Sequence, residues 1–185
     1  MVSDEKLVQQ SLAGSELAFS ELVERYQERL LRFLLARSVT RADAEDAVQD
    51  TFVSAYRYLY SFNARWRFST WLYRIAIRNA ARAPQASAFS DPPPHEESVD
   101  PLAACIVASD RENVWLTAKR LLSRDAYAAM WLRYAEDLSI KEVARALDKT
   151  QSWAKVTLLR ARRRLESEMS SDAQTGTRRE NYGQI

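Results

Sequence analysis

The chain has 185 residues, with 27 Lys and Arg against 25 Asp and Glu, three Gly, five Pro, one Cys and one His. A single Cys excludes a disulfide framework and a multi-Cys zinc site, and a single His excludes a His-rich metal cluster. Three glycines are far fewer than the usual ~7%, too few for tight hairpins, phosphate-cradling loops or dinucleotide fingerprints. The dominant Ala, Leu, Arg and Glu are all good helix formers. No apolar run approaches the ~18–20 residues that span a bilayer, and MVSDEKLVQQ carries no signal-peptide pattern. The expectation is a cytoplasmic, all-α protein of one domain or two small ones.

The first helix is predicted over Asp4–Ala13, stopped by Gly14. Ser15 can cap a long second helix to about Ser38, in which Leu17, Phe19, Leu22, Val23, Tyr26, Leu30, Phe33 and Leu34 recur at helical spacing. Thr40 with Asp43 resembles a capping box with Asp in place of Glu, opening a helix to about Tyr60. After SFNARWR, Ser69 or Thr70 can start a fourth helix through Arg82, ended by Pro84.

Residues 83–109 hold no Lys or Arg, four acids (Asp91, Glu96, Glu97, Asp100) and all five prolines. They read as a flexible acidic linker between two basic segments, in which Cys105 and His95 carry no chemistry. Helices are then predicted over Asp110–Leu122 and, with Ser123 as N-cap, over Ala126–Tyr134. Ser139 and Glu142 form an S-x-x-E capping box before VARAL, and Asp148, Lys149 and Thr150 break the chain before a basic helix from Gln151 to about Met169. Helix, short turn and basic second helix make a helix-turn-helix pattern. The expected domains are therefore 1–82 and 110–170, with 83–109 as linker and 171–185 as a disordered tail.

Three constellations carry chemistry. From Arg145 to Arg164 there are seven basic residues and one acid. On the second helix of such a motif, Gln151, Ser152, Lys155 and Arg160 are candidate contacts to bases and phosphates; a solvated helix face is the plainer reading. Residues 52–73 hold nine of the 19 aromatics, interleaved with Arg57, Arg65, Arg67 and Arg74. Aromatics beside arginines suit unstacked bases. About half of these rings, with Phe52, Tyr56, Phe68 and Trp71 foremost, are expected in the core, and Tyr58, Phe62, Arg65 and Trp66 at the surface. The third constellation is the acidic strip Asp43, Glu45, Asp46 and Asp50 with Gln49, which suits a basic protein partner or simply a helix N-terminus. No catalytic or metal-binding constellation is visible.

The stretches AFSELVERYQERLLRFL, DAEDAVQDTFVSAYRYL, FSTWLYRIAIRNAAR, LRYAEDLSIKEVARAL and AKVTLLRARRRL resemble those of an extracytoplasmic-function (ECF) sigma factor, the small two-domain class of the bacterial sigma-70 family. The resemblance implies a non-enzymatic specificity subunit of RNA polymerase with no cofactor. Asp43, Glu45, Asp46, Gln49 and Asp50 would dock on the β′ clamp helices of core polymerase, and the second domain on the β flap. Tyr58, Phe62, Asn63, Arg65 and Trp66 would help melt the −10 element and hold an extruded base, with Thr70, Arg74, Arg78 and Asn79 facing the same region. Gln151, Ser152, Trp153, Lys155, Arg160, Arg162 and Arg163 would read the −35 element. The acidic linker would pass through polymerase channels that otherwise hold nucleic acid. An anti-sigma factor, often membrane-anchored, would be a further partner, without direct membrane contact by this chain.

The sequence departs from the family at Ala83-Pro84-Gln85, at Asp148 where Gly is common, at Ser152-Trp153-Ala154 and at Thr157. A positive φ at that turn position is feasible for Asp148, though less easily than for Gly. Two other readings fit the motifs in part. One is a stand-alone helix-turn-helix regulator. The other is a sigma-like decoy that binds an anti-sigma factor.

Overall fold

The computed structural model describes the backbone of residues 2–38, 40–82 and 110–180, and the side chains of 2–38, 40–81 and 114–169. The acidic linker, with Cys105 and His95, and residues 181–185 lie outside the described residues. Eight α-helices and one 3-10 turn account for the regular structure among the described residues: α1 Asp4–Leu12, α2 Glu16–Leu35, α3 Arg41–Arg57, the turn Leu59–Ser61, α4 Phe68–Arg82, α5 Asp110–Leu121, α6 Arg124–Tyr134, α7 Ile140–Ala146 and α8 Gln151–Glu180. The all-α expectation is met.

Local chemistry sets the helix ends. Ser3 and Ser15 accept the N–H groups of Lys6 and Ala18. Thr40–Asp43 and Ser139–Glu142 both close reciprocal capping boxes at the starts of α3 and α7. The end of α1 is a Schellman motif: Gly14 N–H bonds the Ser11 carbonyl and Ser15 N–H the Gln10 carbonyl, both at 3.0 Å, with Gly14 at φ 96. Asp148 does the same after α7. Its N–H reaches Arg145 O at 3.3 Å, Lys149 N–H reaches Ala144 O at 2.8 Å, and φ is 58 as the turn demands. Asp137, at φ 51, is a second left-handed residue, in the turn between α6 and α7.

Some boundaries differ from the sequence expectation. α4 begins at Phe68, so Ser69 and Thr70 are not caps but buried first-turn residues; the Arg67 carbonyl takes the first helical N–H, from Trp71. α6 begins directly after Ser123, whose hydroxyl accepts the Ala126 N–H. α8 continues past Met169 to Glu180.

The described chain packs as two units. The first gathers α1–α4 with residues 128–155, and the second gathers residues 110–127 with 156–180. In the first unit α2 contacts α1, α3 and α4, and α7 lies against α4. α2 buries Ala18, Leu22, Tyr26, Leu30, Phe33 and Leu34 along one stripe. Leu22, Leu30 and Leu34 are each 0% exposed, so truncating any of them to Ala costs about 2–5 kcal/mol. Leu17 follows the apolar period but stands exposed. In the second unit the Trp115 ring meets Tyr127 edge-on with centroids 5.8 Å apart, and Arg120 pairs with Glu168 at 3.2 Å.

Candidate nucleic-acid and polymerase interfaces

α3 turns Ala44, Ala47, Thr51, Phe52 and Ala55 inward. The opposite side carries the acidic strip, and its members divide by local role. Asp43 completes the capping box, its Oδ2 accepting the Thr40 N–H at 3.0 Å. Glu45 pairs with Arg41 at 2.8 Å. Asp46, Gln49 and Asp50 are exposed, and the same side continues through exposed Val53, Tyr56 and Arg57 to Tyr60 after the helix. The strip is thus acidic at one end and apolar-aromatic at the other. Tyr56 was expected in the core; it stays exposed because Phe19, which meets it edge-on at 4.9 Å, covers one side only.

The aromatic segment splits as burial dictates. Phe52, Leu59, Phe68, Leu72 and Tyr73 are buried, while Tyr58, Tyr60 and Arg65 are exposed. Phe62 was expected at the surface but is half-buried, with its ring edge-on to Phe68 and Trp71 at 5.9 and 5.8 Å. Trp71 is half-buried in the same cluster. Asn63 organises the loop: its Oδ1 accepts the Arg65 N–H at 3.0 Å and its carbonyl the Trp66 N–H at 3.1 Å. Arg78 is exposed, and Asn79 donates to Ser54 Oγ at 3.3 Å.

Trp66, Thr70 and Arg74 meet residues 136–148 within the first unit. The Arg145 guanidinium lies 4.4 Å, and the Lys141 ammonium 5.1 Å, from the centre of the Trp66 ring. Thr70 Oγ1 donates to Glu142 at 3.4 Å, and Arg74 pairs with Asp148 at 3.1 Å. Arg67 donates to the Asp137 carbonyl at 3.0 Å. Burial pushes the Glu142 carboxyl up, but hydrogen bonds from Ser139 and the charge of Arg67 outweigh it and leave the group below its ordinary value.

Glu136 is the feature the sequence did not reveal. Its side chain is 1% exposed. Arg29 donates to it twice and Tyr73 Oη once, at 2.7 Å. Trp131 Nε1 lies 3.4 Å from the Tyr73 hydroxyl, and Phe33 meets the Tyr73 ring edge-on at 5.1 Å. Burial, then the neighbouring carboxylate, hold the Tyr73 phenol well above its ordinary range.

α8 turns Ala154, Leu158, Ala161 and Leu165 inward. Gln151, Ser152, Lys155, Arg160, Arg162 and Arg163 are exposed, and Val156 and Leu159 add apolar surface among them. Arg162 pairs with Glu166 at 3.3 Å, one turn on. Trp153 is half-buried, its N–H capped by Thr150 Oγ1 at 3.1 Å and its ring under the Lys149 ammonium at 5.6 Å. Among the described residues no three His, Cys, Asp or Glu side chains gather as metal ligands, and no helix is long and apolar enough to cross a membrane.

Residues 22–84 match the family model of sigma-70 region 2, and residues 114–165 that of sigma-70 region 4. The chain is 31% identical over 182 residues to the ECF RNA polymerase sigma-E factor of Haemophilus influenzae, covering 91% of this chain and 96% of that one. This chain belongs to the sigma-70 family, in its ECF class. The E. coli K12 ECF RNA polymerase sigma-E factor is likewise 31% identical, over 91% of this chain and 95% of its own. The fold matches that of CnrH, solved in complex with the cytosolic domain of CnrY, with a TM-score of 0.67 and 24% identity over 91% of this chain and 98% of that one. The two matched regions divide the sigma factor's candidate residues: the α3 strip and the aromatic segment fall in region 2, the basic part of α8 in region 4. The sigma-70 family is not a family of enzymes.

Proposed function

We propose that this ECF sigma factor joins core RNA polymerase, recognises a two-part promoter and assists its melting, while catalysis stays with the polymerase. The observation that carries the reading is the match of both region models to one chain whose exposed residues segregate by chemistry. Residues 1–82 and 110–170 act as separate domains in this account, linked by 83–109 along a path that otherwise holds nucleic acid.

Asp46, Gln49 and Asp50, extended by Val53 and Tyr56, dock on the β′ clamp helices. Asp43 and Glu45 support that surface by capping α3 and pairing with Arg41. Region 4 docks on the β flap. Tyr58, Arg65 and Trp66 hold and stack the unpaired −10 strand, with Phe62 and Asn63 fixing the loop, while Thr70, Arg74, Arg78 and Asn79 line the helix beside it. Gln151, Ser152, Lys155, Arg160 and Arg163 contact the −35 duplex, with Trp153 and Arg162 flanking them. The protein works in the cytoplasm without cofactor or direct membrane contact, under an anti-sigma factor, as the family resemblance supports.

Hydroxyl-radical footprinting of the complex with core polymerase tests this reading. Two protected blocks, near −35 and −10, are expected, and Arg160→Ala weakens the upstream block at low salt, with a deficit that shrinks as salt rises because one phosphate contact fewer lowers the salt slope. A single block formed by the free protein alone would favour a stand-alone helix-turn-helix regulator.

A further inference from the structure

Four cations line one open cleft of the first unit, of about 380 Å³. Arg74 comes from α4, Lys141 and Arg145 from α7, and Lys149 from the turn before α8, with Trp66 beside them. Like charges gathered this way repel one another. Among the described residues of the lining, Asp148 is the one carboxylate set against them. Glu142, the other acid of α7, is turned onto Ser139 and Thr70 instead.

The cations are held in a way that leaves donors free. The Arg145 guanidinium lies 4.4 Å from the centre of the Trp66 ring, and the Lys141 ammonium 5.1 Å. A ring engages the flat face of a guanidinium and leaves its N–H edge open. Among the described residues neither the Lys141 nor the Arg145 side chain has a carboxylate or hydrogen-bond partner. Arg74 gives Nη2 to Asp148 at 3.1 Å, and its Nε is buried with no hydrogen-bond partner among the described residues.

We propose that this cleft is a binding site for a soluble oligophosphate: inorganic pyrophosphate or the diphosphate end of a nucleotide. Arg145 and Arg74 supply fork-shaped donors that match phosphate oxygens, and Lys141 and Lys149 supply point charges. One small anion cannot meet cations carried by two helices and a turn, whereas two linked phosphates can. The volume falls within the ~300–1,000 Å³ of small-ligand sites. A concave cleft also suits a short free chain better than the convex phosphate ridge of a duplex.

The test is isothermal titration calorimetry of the full-length free protein at fixed ionic strength, with sodium pyrophosphate, orthophosphate and sulfate as probes. One pyrophosphate per chain is expected, bound about ten-fold or more tighter than either single anion. Lys141→Ala with Arg145→Ala should lower that affinity about ten-fold or more. Lys6→Ala with Arg32→Ala removes the same charge from α1 and α2 and should leave it unchanged. Arg145→Lys keeps the charge but loses the fork, and should cost about three-fold. Melting temperatures show that each variant is folded, and the preference among anions is read on the unmodified chain.

Equal affinity of the unmodified chain for pyrophosphate and orthophosphate would overturn the site. So would equal losses in the two double variants, which would reduce the effect to net charge. Absence of pyrophosphate binding, with a single-stranded oligonucleotide still bound more weakly by the Lys141→Ala/Arg145→Ala protein, would give these cations to DNA and overturn the proposal.

Discussion

Arg29 grips Glu136 with two hydrogen bonds, 3.1 Å from Nε to Oε1 and 2.5 Å from Nη2 to Oε2, across 107 positions of sequence. The arginine side chain is 47% exposed and the glutamate 1%. Removing one partner of a buried pair strands the other charge, at a cost of about 3–5 kcal/mol. Arg29→Ala should fall at the lower end of that range, because Tyr73 still donates to Glu136. Urea unfolding checks this, the expected result being a clearly lowered midpoint with an unchanged slope. A midpoint equal to that of the unmodified chain would show that the fork contributes little.

The pH response has two limbs. Glu142 titrates below its ordinary 4.5 in the folded chain, so its contribution is fully present above that value and is lost as pH falls through the depressed one. Tyr73 and Tyr26 are held above their ordinary 10.0, chiefly by burial, so their contribution is present below pH 10.0 and is lost at higher pH. Thermal melts should therefore give a plateau through neutral pH, with Glu142→Gln flattening part of the acidic limb. An acidic limb identical in that variant would remove Glu142 from the account.

On α3, the exposed acids and the capping acid should behave differently. Asp46→Arg should weaken core binding several-fold in a pull-down with little change in melting temperature. Asp43→Ala breaks the capping box and should cost about 1 kcal/mol of stability, with core binding reduced only as far as folding is. Full core binding by Asp46→Arg would dismiss the docking strip.

Trp66→Ala should slow promoter opening while sparing core binding, because a stacked base is worth ~1–3 kcal/mol. Adding Phe62→Ala should slow opening further but also lower stability, since the Phe62 ring packs on Phe68 and Trp71. Stopped-flow opening kinetics separate the two effects. Unchanged opening by the Trp66 variant would exclude base capture.

Much of this was legible in the sequence because local rules decided it. Ser15, Thr40–Asp43, Ser139–Glu142 and Gly14 act through neighbours within a few residues, and each took its expected place. Asp148 takes the positive φ that was feasible for it at a turn position often held by Gly. What stayed hidden depends on distant partners. Glu136 reads as a surface acid in RYAEDLS, and only Arg29 and Tyr73 make its burial possible. Ser69 and Thr70 read as caps, yet α4 starts ahead of both, at Phe68, and buries them. Tyr56 stays exposed and Phe62 is half-buried, against expectation, because ring contacts from Phe19, Phe68 and Trp71 set their exposure. Among the proposed −35 contacts, Gln151, Ser152, Lys155, Arg160, Arg162 and Arg163 are exposed by helical periodicity alone, so their placement was readable in the sequence.

Run-off transcription with purified core polymerase, on a library of upstream DNA regions, tests the central claim most directly. The account predicts discrete transcripts that start only when this protein is added and that share a two-block upstream sequence. Core binding without any such transcript across the library, or transcripts identical with and without the protein, would contradict it.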